Sequence, residues 1–200
     1  MSGQGTEAAP HRTVVVASSA GGLAALLGIL PLLPADFPAA VICVQHVSPH
    51  QPSYLAAILG RRCALRVAVV QPGCVPAPAT VLLAPPDRHT VVEADGRMGL
   101  WDGPPVNHVR PSADLLFSSA AAVFGARTVA LVLSGTGHDG AAGTAAVKEC
   151  SGTVLLQSPG TCEFSGMVEA ALRLVDPDAV LPLPHLAAEL ERLAAEVPAA

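Results

Sequence analysis

Three residues in this sequence carry side chains that together can hydrolyse an ester or an amide. They are Ser19, His46 and Asp139, and each stands just past the end of a short apolar run. A serine hydroxyl attacks a carbonyl once a histidine takes its proton, and a carboxylate orients that histidine. The carboxyl ends of parallel strands meet at one edge of a sheet, where ligands bind. If the three runs are such strands, the trio supplies a nucleophile, a base and an orienting group.

Each member of the trio also has a purely structural explanation. Ser19 lies at a strand-to-helix turn of small residues, where serine is often only a helix N-cap. Asp139 precedes another helical pattern, and its charge suits the positive end of that helix dipole. A lone histidine such as His46 is more often a surface or hydrogen-bonded residue than a catalyst. The functional interpretation therefore depends on all three meeting at one sheet edge.

Two neighbouring residues are rival candidates for the same chemistry. Cys43 offers a thiol nucleophile, but it lies inside an apolar run, where strand alternation points Cys43 and His46 to opposite faces. His138 is a rival base, but it is the residue next to Asp139 in the chain, so we expect its side chain to point away from the Asp139 carboxylate. We therefore favour Ser19 and His46, with free backbone N–H groups near Ser19 available to hold an oxyanion.

Apolar runs and helical patterns alternate along the chain, which is typical of a doubly wound α/β fold. Continuous apolar runs fit strands covered on both faces. The predicted strands are Val14–Ala17, Ala40–Val44, Val67–Val70, Thr80–Ala84, Thr128–Leu133, Thr153–Leu156 and Ala179–Leu181. The predicted helices are Leu23–Leu30, Ser53–Gly60, Ser112–Phe124, Asp139–Cys150, Gly166–Leu172 and a last one opened by Pro184; Ser53 and Ser112 are candidate N-caps and Gly125 a helix end.

We therefore predict a single-domain α/β protein with a mostly parallel sheet of about seven strands. A small β-hairpin is expected over Thr90–Trp101 around the Asp95-Gly96 turn. The predicted domain spans residues 13–197, after a flexible tail at residues 1–12. No run reaches the length of a membrane-spanning helix and the N-terminus lacks a signal-peptide pattern, so we expect a cytoplasmic protein.

Composition narrows the function classes. The 200 residues are 51% hydrophobic and 3% aromatic, with a formal net charge of −5, which removes the electrostatic and stacking basis for binding nucleic acid. The five cysteines form no CxxC pair, which argues against a zinc site and a disulfide framework. Neither a phosphate-binding loop nor a dinucleotide fingerprint follows the first strand. We expect no metal and no cofactor.

Five segments, in order, resemble the catalytic domain of the chemotaxis protein-glutamate methylesterases, the CheB family. The segments are Val16-Ala17-Ser18-Ser19-Ala20-Gly21-Gly22, Val44-Gln45-His46, Ala84-Pro85-Pro86-Asp87-Arg88-His89, Gly103-Pro104-Pro105-Val106-Asn107 with Arg110-Pro111-Ser112-Ala113-Asp114, and Ser134-Gly135-Thr136-Gly137-His138-Asp139-Gly140-Ala141-Ala142-Gly143. The resemblance runs from about Val14 to Leu183. It implies hydrolysis of glutamate γ-methyl esters on chemoreceptor helices with release of methanol, and in many members deamidation of receptor glutamines.

The resemblance also implies roles for particular residues. Ser19 is the nucleophile, His46 the base and Asp139 its orienting group. Candidate oxyanion donors are the backbone N–H groups at Ala20, Gly21, Thr136, Gly137 and their neighbour Gly135. Arg110, with Arg88, is a candidate for contact with an acidic receptor surface.

The sequence departs from the family pattern at the mouth of the predicted site. Ala20 replaces a usual threonine, Thr136 a usual methionine, and Val109 a histidine that often precedes the Arg-Pro-Ser segment.

Family members usually carry a regulatory receiver domain ahead of the catalytic unit, and only about a dozen residues precede the first strand here. We therefore expect regulation, if any, by a separate protein in trans. The alternative function is a non-catalytic signalling module that binds receptors or a partner protein.

Overall fold

The computed structural model describes residues 11–47 and 53–196. A seven-stranded sheet crosses the molecule in the order β3-β4-β2-β1-β7-β8-β9, and every neighbouring pair in it is parallel. Its strands are β1 (Arg12–Ser18), β2 (Ala39–Gln45), β3 (Arg66–Val69), β4 (Thr80–Leu83), β7 (Thr128–Val132), β8 (Thr153–Gln157) and β9 (Ala179–Leu181). The seven predicted strands are thus confirmed.

Helices cover both faces of the sheet. They are α1 (Gly22–Ile29), α2 (Leu55–Gly60), α3 (Ala113–Phe124), α4 (Ala141–Glu149), α5 (Gly166–Leu172) and α6 (Leu183–Ala195), with short 3₁₀ turns at Leu30–Leu32, Gly125–Arg127 and Pro159–Thr161. Residues of α1, α2 and α6 share one hydrophobic core, and residues of α3, α4 and α5 share the other. The fold is therefore the predicted doubly wound α/β arrangement.

The central strand β1 explains why the strand sequences are apolar without alternation. Val14 and Val16 pack in the core under α1 and α6, whereas Val15 and Ala17 pack in the core under α3, α4 and α5. All four side chains are at most 1% exposed. A strand buried on both faces needs apolar side chains at every position.

A separate two-stranded hairpin lies outside the sheet, as predicted. It pairs β5 (His89–Val92) with β6 (Met98–Trp101) in antiparallel register. Gly96, at φ 81°, donates its N–H to the Glu93 carbonyl at 2.8 Å and closes the turn. The hairpin packs against α3, and Ser119 of that helix accepts the Val92 N–H at 3.0 Å.

The chain ends differ in how far the structure describes them. Residues 1–10 of the predicted tail lie outside the described residues, as do residues 197–200. Arg12 opens β1, and its guanidinium donates to the Glu196 carbonyl at 3.0 Å and to the Ala126 carbonyl at 3.2 Å. None of the helices in residues 11–47 and 53–196 is long and apolar enough to cross a membrane.

Candidate active site

The sheet register brings the loops after β1, β2 and β7 together. Ser18 pairs with Gln45 at the ends of β1 and β2, so Ser19 and His46 are the next residues of adjacent strands. The His46 N–H donates to the Ser18 carbonyl at 3.0 Å, and the Ser19 N–H donates to the Ser134 carbonyl at 3.0 Å. These loops meet at the carboxyl edge of the sheet, next to β1. There the strand order changes direction, because the chain adds β2 on one side of β1 and β7 on the other. This is the usual ligand position in an open α/β sheet.

His46 and Asp139 form a hydrogen-bonded pair across this edge. His46 Nε2 lies 2.9 Å from Asp139 Oδ2, and the two side chains are 12% and 3% exposed. Because Asp139 occupies Nε2, the nitrogen left to face another partner is Nδ1. A carboxylate that accepts one ring N–H leaves the other nitrogen as a proton acceptor.

Further donors from the start of α3 and from the loop before it hold the Asp139 carboxylate in place. Oδ1 accepts from Ser112 Oγ at 2.6 Å and from Asn107 Nδ2 at 3.1 Å, and Oδ2 accepts from the Ala113 N–H at 2.6 Å. Burial alone would raise the pKa of Asp139, but the bonds from His46, Ser112 and Ala113 outweigh burial and hold the pKa below its usual value. The carboxylate therefore stays charged at neutral pH.

Ser19 and Asp139 are not helix N-caps. Gly21 caps α1 and Gly140 caps α4, both in left-handed conformations without a side-chain cap bond. Ser112 does occupy the N-cap position of α3, but its hydroxyl donates to Asp139 instead of capping the helix. The N-cap position predicted for Ser112 is therefore confirmed, but the N–H groups of Ala113 and Asp114 at the start of α3 donate to the Asp139 carboxylate, at 2.6 and 3.4 Å, and not to the Ser112 hydroxyl.

Backbone N–H groups surround the Ser19 turn. Within the described part of the chain, the N–H groups of Ala20, Gly21, Thr136 and Gly137 have no hydrogen-bond acceptor. The Gly135 N–H, in contrast, donates to the Phe164 carbonyl at 2.9 Å and is not free. Ala20 and Gly21 lie at the turn into α1, and Thr136 and Gly137 are exposed at the turn before Asp139. These two turns are the places where an oxyanion can find donors.

The Gln45 amide is a bracing group that sequence reasoning missed. Its Nε2 donates to the Ser19 carbonyl at 2.8 Å and to the His46 carbonyl at 3.0 Å, while its Oε1 accepts from Ser18 Oγ at 2.7 Å. The Gln45 side chain thus links Ser18, Ser19 and His46. The available signal was a buried amide at the end of an apolar strand, since such an amide must bond nearby backbone.

Asn107 was also missed, although it stands in one of the segments quoted above. Val106 and Val109 exchange backbone hydrogen bonds of 3.1 and 2.9 Å, which closes a two-residue turn over Asn107 and His108. Both turn residues have positive φ, 52° and 64°, a conformation that asparagine adopts more readily than most residues. The turn delivers the Asn107 amide to Asp139.

A cleft of about 200 Å³ opens beside His46. Its lining residues come from the loops after β2, after β4 and before α3: His46, Val47, Asp87, Pro105, His108, Val109 and Arg110. A cleft of this volume can admit a side chain of an approaching protein.

Comparison with known proteins identifies the family. A family model described as CheB methylesterase matches residues 14–190. The chain belongs to the CheB methylesterase family. The CheB methylesterase catalytic domain of Thermotoga maritima has a crystal structure that matches with a TM-score of 0.88 and 34% identity, covering 92% of this chain and 98% of that one.

Relatives with curated names are similar over the same region. A protein-glutamate methylesterase/protein-glutamine glutaminase of Symbiobacterium thermophilum is 37% identical over 187 residues, covering 94% of this chain and 52% of the relative. The protein-glutamate methylesterase FrzG of Myxococcus xanthus is 35% identical over 181 residues, covering 90% and 54%. The chain therefore spans about half the length of the curated CheB relatives it matches.

Cys43 and His138, the rival nucleophile and the rival base, do not line the cleft beside His46. Cys43 is 1% exposed in the core under α1, and burial raises the pKa of its thiol far above the neutral range. His138 is exposed and lines a different pocket, beside Asn107 and Asp114. Among the described residues, His46, and neither of these two side chains, is hydrogen-bonded to the Asp139 carboxylate.

The arginines predicted to contact an acidic surface are already paired with aspartates. Arg110 contacts Asp87 Oδ1 through Nη2 at 2.6 Å and donates Nη1 to the Gly103 carbonyl at 2.8 Å. Arg88 makes a two-pronged pair with Asp102, at 2.6 and 3.0 Å. Both guanidinium groups thus already have an acidic partner within the chain, and substrate contact at Arg110 stays a prediction.

Replacing Gly21 by alanine is expected to destabilise the CheB fold by about 1–3 kcal/mol. Gly21 has φ 73°, and a Cβ there would lie 2.5 Å from Ser134 Oγ and 2.7 Å from Glu163 Cβ. Denaturant unfolding of the variant measures the loss. Gly160→Ala is the matched control, because a Cβ at Gly160 meets nothing within 4 Å. Equal stability of the two variants would contradict the expected strain.

Proposed function

We propose that this chain is a serine esterase that hydrolyses glutamate γ-methyl esters on chemoreceptor proteins and releases methanol. We propose that it also deamidates receptor glutamines, as the names of its relatives suggest for those proteins. The observation that carries the proposal is the 2.9 Å pair of His46 Nε2 and Asp139 Oδ2, beside Ser19 in strand register. Ser19 is the nucleophile, His46 the base and Asp139 the group that orients it.

The first half of the proposed reaction forms an acyl-enzyme. Ser19 Oγ attacks the ester carbonyl while His46 Nδ1 takes the hydroxyl proton. Asp139 holds Nε2–H and stabilises the imidazolium that forms. When the tetrahedral intermediate collapses, His46 returns the proton to the departing methoxide, and methanol leaves. The glutamyl group then remains attached to Ser19 as an ester.

The second half restores the enzyme with water as the nucleophile. His46 Nδ1 takes a proton from the water as it attacks the acyl carbonyl, and gives that proton to Ser19 Oγ as the acyl bond breaks. The product is a free glutamate side chain. A glutamine substrate follows the same route, with ammonia as the first product in place of methanol.

The developing oxyanion needs donors in the turns on either side of Ser19. The N–H groups of Ala20 and Gly21 at the start of α1, and of Thr136 and Gly137 before Asp139, have no acceptor among the described residues. Donors that are already oriented stabilise the oxyanion without further reorganisation, and one such donor typically contributes about 10²–10³ in rate.

Arg110 would orient an acidic segment of the receptor after exchanging Asp87.

Methanol release from a methylated chemoreceptor cytoplasmic fragment tests the proposal. A known active methylesterase validates the substrate, and mass spectrometry of a glutamine-containing fragment measures deamidation. Methanol production by the chain alone, above the substrate's own background, is the expected result. No release on a validated substrate would contradict catalysis by the chain alone and would favour a receptor-binding module or an enzyme that needs a separate activator.

A further inference from the structure

A second carboxylate, that of the half-buried Asp114, is linked to the Asp139 carboxylate by one amide group. Asn107 Nδ2 donates to Asp139 Oδ1 at 3.1 Å and to Asp114 Oδ2 at 2.6 Å. An amide nitrogen carries two hydrogens, so each carboxylate receives one. The Asn107 amide is therefore fully used by the two acids and has one orientation that satisfies both.

Asp114 is in turn fixed by the contact between α3 and α4. Its Oδ1 accepts the Gly143 N–H at 2.7 Å. A Cβ at Gly143 would lie 2.6 Å from Phe117 Cβ and 3.1 Å from Asp114 Cα, so glycine is needed for α4 to approach this closely. The Asp114 carboxylate is thus held on one side by the close contact between α3 and α4.

Placing a second carboxylate at Asp114 is electrostatically unfavourable, because the site is partly desolvated and lies near the charge of Asp139. Burial raises the pKa of Asp114, the Gly143 N–H lowers it, and the charge of Asp139 raises it further. Asn107 separates the two acids with donor hydrogens directed at both. A half-buried position filled only for packing would not need a carboxylate here.

We infer that Asp114 and Asn107 position the Asp139 carboxylate for the triad. Asp114 sets the orientation of the Asn107 amide, and Asn107 holds Oδ1 so that Oδ2 points at His46. Asp114 touches neither substrate nor His46, so it is a positioning residue. This inference rests on the proposed function for its kinetic readout, but its spectroscopic readout does not.

Asp114→Asn is the informative substitution because it keeps the size of the side chain. Asparagine has one oxygen, so it can accept from Gly143 or from Asn107 but not from both, and its NH₂ group faces the remaining donor. We expect kcat for methanol release to fall about 10- to 100-fold, while KM changes little, because the loss falls on alignment of the triad. An unchanged kcat in the folded variant would overturn the inference.

The spectroscopic readout is the proton of the His46 Nε2–H···Asp139 hydrogen bond. A proton in a short, charge-assisted bond resonates at low field in the ¹H NMR spectrum, and His46→Gln identifies it by loss of the signal. In Asp114→Asn this resonance is expected to move and to exchange faster with water. A general loss of stability does not alter the signal of molecules that remain folded, so the readout separates positioning from support of the fold.

Asp36→Asn is the matched control. Asp36 is exposed and precedes β2, at the sheet edge opposite the site, and its substitution makes the same change in net charge. Both the resonance and kcat should match the wild type. If Asp36→Asn moves the resonance as much as Asp114→Asn, the effect is one of net charge and the positioning role is wrong.

A double-mutant cycle tests whether Asp114 acts through Asn107. Asn107→Ala is expected to lower kcat and to move the resonance by itself, which keeps the inference testable if Asp114→Asn does not fold. Adding Asp114→Asn to Asn107→Ala should then change kcat little, because the link is already broken. Independent, multiplicative losses in the double variant would overturn the inference.

The outcomes distinguish this inference from the proposed function. If the wild type releases neither methanol nor ammonia, yet the resonance moves in Asp114→Asn and not in Asp36→Asn, the proposed function fails and the positioning role stands. If the wild type is active and the resonance is unmoved in folded Asp114→Asn, the positioning role fails and the proposed function stands.

Discussion

Ser19→Ala is expected to lower the rate of methanol release by about 10⁴- to 10⁶-fold, because the variant lacks the hydroxyl that forms the acyl-enzyme in the proposed reaction. The Cys43 thiol is buried in the core, and the Ser134 hydroxyl is occupied, donating to the Ala20 carbonyl at 2.9 Å. The structure of the variant should be unchanged, since the Ser19 backbone keeps its bonds to Ser134 and Gln45. Methanol measured over hours at high enzyme concentration gives the residual rate.

The control for this substitution is Ser118→Ala, which removes an exposed hydroxyl from α3. Its rate should equal that of the wild type. Residual activity of Ser19→Ala above one hundredth of the wild-type rate, in protein free of wild-type contamination, would show that Ser19 does not form the acyl-enzyme. A water attacking directly with His46 as base would then be the better mechanism.

The fold was predictable because the sheet is covered on both faces. Strands such as Val14–Ala17 are apolar at every position, and helical segments separate them. Those two features place Ser19, His46 and Asp139 at the carboxyl edge without any side-chain geometry. The strand order β2-β1-β7 then makes their loops neighbours.

The hydrogen bonds that hold the trio together were less accessible from the sequence. Ser112 follows the rule for an N-cap, yet its hydroxyl bonds Asp139, because tertiary structure buries a charged acceptor beside it. Asn107 reaches Asp139 only because a two-residue turn with positive φ presents it there. Local preferences do not reveal such contacts, since both partners come from loops more than 20 residues apart in the sequence.

Asp139→Asn is expected to lower kcat by about 10⁴-fold, as replacing the acid of a serine triad by its amide does elsewhere. The Asp139 carboxylate accepts bonds at both oxygens, from Ala113 and His46 at Oδ2 and from Ser112 and Asn107 at Oδ1. An asparagine has one oxygen for these donors. If its NH₂ group faces His46, Nε2 must accept, the proton moves to Nδ1, and that nitrogen can no longer take the Ser19 proton.

The pH dependence of stability separates this electronic effect from a packing defect. The pKa of Asp139 is held below its unfolded value, so its charged form stabilises the fold above that value, and this contribution is lost as the pH falls through the folded-state pKa. The difference in unfolding free energy between wild type and Asp139→Asn should therefore shrink as the pH is lowered below the ordinary carboxyl range. Asp36→Asn makes the same change in net charge at an exposed position at the other edge of the sheet, and its unfolding curves are the reference for this comparison. A gap for Asp139→Asn that stays constant with pH would mean that its loss of activity comes from disturbed packing rather than from the missing charge beside His46.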